Sequence, residues 1–178
     1  NNNVLEFPGN NKKRNNMSDL MIDIETLDVT PTATILTIGA QGFDPFSDKF
    51  TDVTYYSRLT IDSQADRTIN DDGPNSTVAW WGKQSEDAQE EALGDGADRV
   101  DITTSLKELS KIAWKHKRIW ANGVTFDMVI LENAMKQYGI SVPWKYWKVM
   151  DARTIYKISK APGLDNNHNA LAYSVKQI

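Results

Sequence analysis

A mixed α/β domain is what this sequence predicts, and three features carry the prediction. Three β-rich runs fill residues 20–59, helical spacing takes over at Thr77, and one short apolar strand at 118–121 interrupts the helices that follow. With 178 residues, 40% hydrophobic content and six Trp, the chain is long enough to bury one sizeable core. It contains no internal repeat.

The elements follow in order. Residues 1–16, NNNVLEFPGNNKKRNN, are Asn-rich and aperiodic, so they read as a disordered tail, a leader or an expression remnant, with the domain in residues 17–178. Residues 20–25, 35–43 and 50–59 are parted by the turn-prone Thr30-Pro31-Thr32 and Asp44-Pro45-Phe46-Ser47, the pattern of an antiparallel meander. Ser76 or Thr77 starts a short helix carrying Val78, Trp80 and Trp81. Ser85 starts the acidic stretch SEDAQEEAL, which Gly94 closes. Leu106, Leu109, Ile112 and Ala113 recur at helical spacing over 102–116. After the strand at 118–121, Thr125 is the expected cap of a helix over 126–138 that buries Phe126, Ile130, Ala134 and Tyr138 and stops at Gly139. A last helix is expected over 170–177.

Composition limits the chemistry. The absence of Cys excludes disulfides, zinc–thiolate sites and thiol nucleophiles, and two His are too few for an imidazole-rich centre, so any metal must be held by carboxylates. No apolar run approaches the roughly 20 residues that span a bilayer. A cytoplasmic protein without membrane contact is expected. A net charge of −4 gives no global attraction to nucleic acid, so a phosphate-bearing partner needs local basic patches or bridging metal ions. Lys115/Lys117/Arg118 and Arg153/Lys157/Lys160 are the candidate patches, and each is equally readable as a solvated helix face.

The most informative stretch is L-M-I-D-I-E-T-L-D, residues 20–28. In a strand, Asp23 and Glu25 leave on the same face, where two carboxylates raise each other's pKa unless a cation lies between them. The alternative is a solvated edge strand with two harmless acids. W-A-N-G-V-T-F-D places Asp127 in the first turn of a helix, just past the carboxyl end of a strand, where open α/β sheets bind ligands. The same position equally suits a plain helix-start acid. His168 stands in a polar stretch ahead of the last expected helix, a place also suited to a solvated residue.

Together, M-S-D-L-M-I-D-I-E-T, T-V-A-W-W-G-K-Q-S, W-A-N-G-V-T-F-D-M-V-I-L, P-W-K-Y-W, D-A-R-T-I and H-N-A-L-A resemble, in this order from residue 17 to 178, the DEDDh 3′–5′ exonucleases. The nearest likeness is to phage and prophage exonuclease VIII-like proteins. Asp23-Ile24-Glu25 looks like the first motif, Phe126-Asp127 the second and His168 the histidine of the third. The resemblance implies a ribonuclease H-like mixed sheet, an antiparallel three-stranded unit extended by further parallel strands and flanked by helices. It departs from the pattern at one place. The third motif is similar to H-x-x-x-x-D, yet the fifth residue after His168 is Tyr173. A phenol with a pKa near 10 is a poor ligand for a hard cation. An engineered change, a natural degenerate variant and rescue by Asp165 all remain open. The resembling proteins also continue the final helix, which would make this domain C-terminally shortened.

By this resemblance, two Mg²⁺ or Mn²⁺ ions serve phosphodiester hydrolysis, with Asp23 bridging, Glu25 on the nucleophile side, Asp127 supporting the other ion and His168 as general base. Substrate contacts are expected from Trp81, Asn122, Phe126 and Arg153. Of Trp80 and Trp81, one should offer its ring to a base while the other enters the core, and Asp151 with Arg153 reads as an ion-pair element. The expected partner is a single-stranded nucleic-acid 3′ end, DNA favoured, with homodimer formation left open. The acidic stretch at 86–91 disfavours a long groove along its face. Two other readings stand beside a 3′–5′ exonuclease impaired by Tyr173. One is a catalytically inactive nucleic-acid-binding module of the same fold; the other, an unrelated carboxylate–metal phosphoesterase, leaves the W-W and H-N-A-L-A segments without a role.

Overall fold

The computed structural model describes residues 18–47 and 49–159. Five strands form one sheet: β1 (Asp19–Thr26), β2 (Ile35–Phe43), β3 (Phe50–Arg58), β4 (Ile119–Ala121) and β5 (Val149–Asp151). Their spatial order is β3-β2-β1-β4-β5. The first three pair antiparallel, whereas β4 runs parallel to both β1 and β5. The meander and the parallel extension agree with expectation. Apolar β1 and β2 lie at the buried centre, while β3 alternates toward solvent at one edge.

Five helices accompany the sheet: α1 (Thr77–Trp81), α2 (Glu86–Leu93), α3 (Ile102–Trp114), α4 (Asp127–Gln137) and α5 (Ala152–Ser159). Ser76, Ser85 and Asp101 cap the first three, each accepting from a backbone N–H of the opening turn. Thr125 does not cap α4; Phe126 takes that place without a side-chain cap bond. At the other end, Gly139 adopts φ 69°, its N–H bonds to the Lys136 carbonyl and that of Ile140 to the Met135 carbonyl. This is a Schellman ending, which favours Gly because an L side chain strains at positive φ. Of the face expected to be buried on α4, Ile130 and Ala134 are buried, whereas Phe126 and Tyr138 are only half-buried against the core.

Strand alternation partitions the side chains of β1. Leu20, Ile22 and Ile24 enter the main core, packed with Ile102, Leu106 and Leu109 of α3 and Ile130, Leu131 and Ala134 of α4. Met21 belongs to a separate small cluster with Phe43 and Ala152 of α5. Asp23 and Glu25 follow Met21 at two-residue steps, so the same alternation sets them on the face away from the main core. A register irregularity between Glu25 and Thr26 bends the strand at this point. No helix of the described residues is long and apolar enough to cross a membrane.

Candidate active site

β1 carries two of the candidate acids and α4 delivers the third. β4 ends at Ala121, the chain turns through Asn122 and Gly123, and α4 begins at Asp127. The Asp127 carboxylate Oδ1 accepts a hydrogen bond from the Ile24 backbone N–H at 3.2 Å. Ile24 lies between Asp23 and Glu25, so the helix start is tied to the backbone midpoint of the acid pair. Asp23 and Asp127 are buried and Glu25 is half-buried.

Burial and mutual repulsion dominate the electrostatics. Burial pushes the Glu25 carboxyl up to about 8, with the charge of Asp127 adding to the effect. Asp23 is raised well above the carboxylate range by burial, then by Asp127, then by Glu25. Burial also raises Asp127, to about 7, against the lowering influence of the Ile24 N–H, its own backbone N–H and the nearby positive charge of Arg153. Asp151 acts on Asp127 in the raising direction. Three carboxylates therefore act on one another with their negative charge undercompensated by protein groups, the electrostatic setting that a hard divalent cation relieves. The donor set suits such a cation in chemistry. Among the described residues, no three acidic or imidazole groups are gathered closely enough to form a complete metal cage.

Arg153 is seated by Gly123. Its Nη2 donates to the Asn122 carbonyl at 2.7 Å, and a Cβ on Gly123 would stand 2.6 Å from that nitrogen. Gly123 also has φ 115°, so the turn needs glycine for both backbone and space. The Asp151–Arg153 ion pair expected from the sequence is not what forms. Asp151 Oδ1 accepts the Arg153 backbone N–H at 2.9 Å, opening α5 as a cap, while the guanidinium goes to Asn122. Nothing in the sequence links Gly123 to Arg153, thirty residues on, and this seat was not foreseen.

The tryptophan pair separates into one inside and one outside. Trp81 is 1% exposed, packs with Leu27, Leu36 and Ala92, and donates its indole N–H to the Thr26 carbonyl at 2.9 Å. It is a core residue, which corrects its assignment as a substrate contact. Trp80 is 42% exposed and meets Trp81 edge to face, with ring centroids 5.1 Å apart. Phe126 sits half-buried at the α4 N-cap. The first basic patch is also partly consumed by structure: Arg118 pairs with buried Asp19 at 2.7 Å and lies over the Phe46 ring. His168, Tyr173, Asp165 and Lys160 lie outside the described residues, as does the expected final helix.

A 3-2-1-4-5 mixed sheet flanked by helices, with acids on its central strand and at the start of the helix after β4, is the ribonuclease H-like fold of exonuclease domains. The chain belongs to the 3′–5′ exoribonuclease Rv2179c-like domain family, whose model matches residues 18–178. No curated protein sequence matches it. Among solved structures it is similar to the zinc-bound form of an E. coli exonuclease I complex with single-stranded DNA, at 15% identity and TM-score 0.60, over 89% of this chain and 39% of that one. Another form of the E. coli enzyme, with a dA16 oligonucleotide, aligns at 15% identity and TM-score 0.59 over the same shares of the two chains. Cell-death related nuclease 4 aligns at 12% identity and TM-score 0.52, over 90% of this chain and 61% of that one. This chain thus spans well under half the length of exonuclease I, and these likenesses establish the fold.

Proposed function

We propose that the protein is a metal-dependent 3′–5′ exonuclease that removes nucleotides from the 3′ end of single-stranded nucleic acid. One observation carries the reading: Asp127 is bonded to the backbone between Asp23 and Glu25, in a pocket of raised carboxylate pKa values. The residues that would hold Mg²⁺ or Mn²⁺ are Asp23, Glu25 and Asp127. When bound, a pair of such ions lowers the pKa of water and neutralises charge on the phosphoryl and leaving oxygens. Asp23 and Glu25 would hold the ions from β1, and Asp127 would join them from the start of α4, where it is tied to the backbone between the two. Arg153, seated on Gly123, presents positive charge beside Asp127 and is suited to orient a phosphate. Asn122 shapes the same turn. Trp80, 42% exposed and edge to face on Trp81, takes the place of Trp81 as the ring proposed to meet a terminal base. His168 takes the proton of the attacking water, a role that suits a pKa near neutrality.

The sequence-based preference is for DNA, whereas the family description names an exoribonuclease. The likeness to phage exonuclease VIII-like proteins belongs to the same reading. A second reading, a catalytically inactive nucleic-acid-binding module, is favoured by Tyr173, which stands where the motif has an acid. Both are tested by release of labelled nucleotides from the 3′ ends of single-stranded DNA and RNA, with Mg²⁺ or Mn²⁺, by this chain, Tyr173→Asp and Asp127→Asn. The exonuclease reading expects metal-dependent release, lost in Asp127→Asn and raised by Tyr173→Asp more in turnover than in affinity. Binding without release in both this chain and Tyr173→Asp would establish the inactive module.

A further inference from the structure

The P-W-K-Y-W segment has no part in the chemistry above, yet it exposes two adjacent large rings just ahead of β5. Trp144 is buried and donates its indole N–H to Glu132 at 2.8 Å, anchoring one end. The chain then makes a 3₁₀ turn at Tyr146–Lys148 and enters β5, closed by a Lys148 N–H bond to the Lys145 carbonyl at 2.8 Å. The two rings are thus held between an anchored Trp and a paired strand. Tyr146 is 84% and Trp147 61% exposed, and they meet edge to face with centroids 5.0 Å apart. Two adjacent large rings fixed in solvent are an unusual use of apolar surface.

Charge indicates what covers them. Residues 145–159 carry Lys145, Lys148, Arg153 and Lys157 against the single acid Asp151, in a chain whose net charge is −4. Among the described residues, the ion pairs are Arg58–Asp98, Lys111–Glu108 and Arg118–Asp19, so none engages Lys145 or Lys148. A second copy of the chain meeting this edge about a two-fold axis would set like charge against like. A polyanion with flat apolar faces fits both the rings and the lysines. Among the described residues β5 is an edge strand; the rings precede its first residue, Val149, and the charge of its last, Asp151, acts on Asp127. The four-residue step from Trp147 to Asp151 spans at most about 13–14 Å.

We propose that Lys145, Tyr146, Trp147 and Lys148 form a holding site for the single strand on the 5′ side of the bond being cut, with bases stacked on the rings and phosphates on the lysines. The identity of the strand rests on the exonuclease reading; the site itself does not need catalysis. The test measures binding of fluorescein-labelled twelve-nucleotide oligo-dT and oligo-U to the whole protein in EDTA, together with Mn²⁺-supported hydrolysis of a dinucleotide. Tyr146→Ala/Trp147→Ala should weaken the longer strands about 10- to 100-fold, from loss of stacking. Tyr146→Phe/Trp147→Phe should retain most of that affinity, and dinucleotide hydrolysis should be unchanged in both. Undiminished binding of the longer strands by the alanine variant overturns the proposal, as does equal loss by the phenylalanine variant. A change of oligomeric state in the alanine variant also overturns it, in favour of a contact between copies. If the dinucleotide and the longer strands resist hydrolysis by both this chain and Tyr173→Asp while ring-dependent binding persists, the holding site stands and the exonuclease reading falls.

Discussion

Asp127 shows what a buried acid costs when its neighbours have the same charge. Its raised pKa means that, above the ordinary carboxylate value of 3.8 and increasingly up to about 7, the unfolded chain releases a proton that the folded chain would retain. Folding is opposed by that difference at neutral and higher pH. Asp127→Asn keeps an oxygen for the Ile24 N–H and removes the charge. The metal-free variant is expected to melt higher than the parent at pH 8, by roughly 5 °C. Added Mn²⁺ should stabilise the parent by mass action and the variant much less. Thermal melts of both proteins with EDTA or Mn²⁺ decide it; a variant that melts lower in EDTA would mean that burial does not disfavour the Asp127 charge. Asp23 and Glu25 were legible because strand alternation needs only local spacing. Trp80 and Trp81 were not separable, since neighbours on a helix point about 100° apart and either could face inward.

At the scale of elements, a single side chain straps the β1–β2 loop to α4. Buried Arg67 donates through Nε to the Ala33 carbonyl at 2.8 Å, through Nη2 to the Pro31 carbonyl at 3.2 Å, and through Nη1 to Asn133 and Gln137 of α4. Arg67→Met retains much of the stem and leaves these acceptors without the guanidinium. Its cost should be about 2–4 kcal/mol, measured as a lower urea midpoint at unchanged m value. A loss below about half a kcal/mol would mean that water replaces the strap without penalty. Elements with local signals were readable: Ser76 and Ser85 caps, the Gly139 ending and the three-stranded meander. β5 was not assigned to residues, because Val149-Met150-Asp151 is too short for a period to register and pairs only through β4. The α4 cap was misplaced by one residue: Phe126 stands at the N-cap without a side-chain bond, and the Asp127 carboxylate is drawn to the Ile24 N–H, a contact that no local pattern reveals. The Arg153 seat depends likewise on folding, as it joins two turns distant in the chain.

For the whole molecule, the response to acid includes a buried imidazole. His116 follows the end of α3 and folds back on it, with Nδ1 2.8 Å from the Ile112 carbonyl. Burial lowers its pKa below 6.5, opposed by that hydrogen bond and by Asp19, and assisted by Lys115. The unfolded chain therefore takes up the proton first as pH falls. The stability due to the neutral ring is complete above 6.5 and declines as pH drops from 6.5 toward the folded value. His116→Gln should flatten the fall in melting temperature between about pH 7 and 5 relative to the parent; parallel curves for the two proteins would assign the acid response elsewhere. The bond from Ile24 to Asp127 has a different consequence, one of timing. Its partners are separated by 103 positions. On a ribosome adding about 5–20 residues per second, the second partner is synthesised roughly 5–20 s after the first. The antiparallel strands can pair within that interval, but the three-acid site cannot yet exist. On the proposed function, a nascent chain of this topology thus stays inert beside its own messenger until its later half has been made.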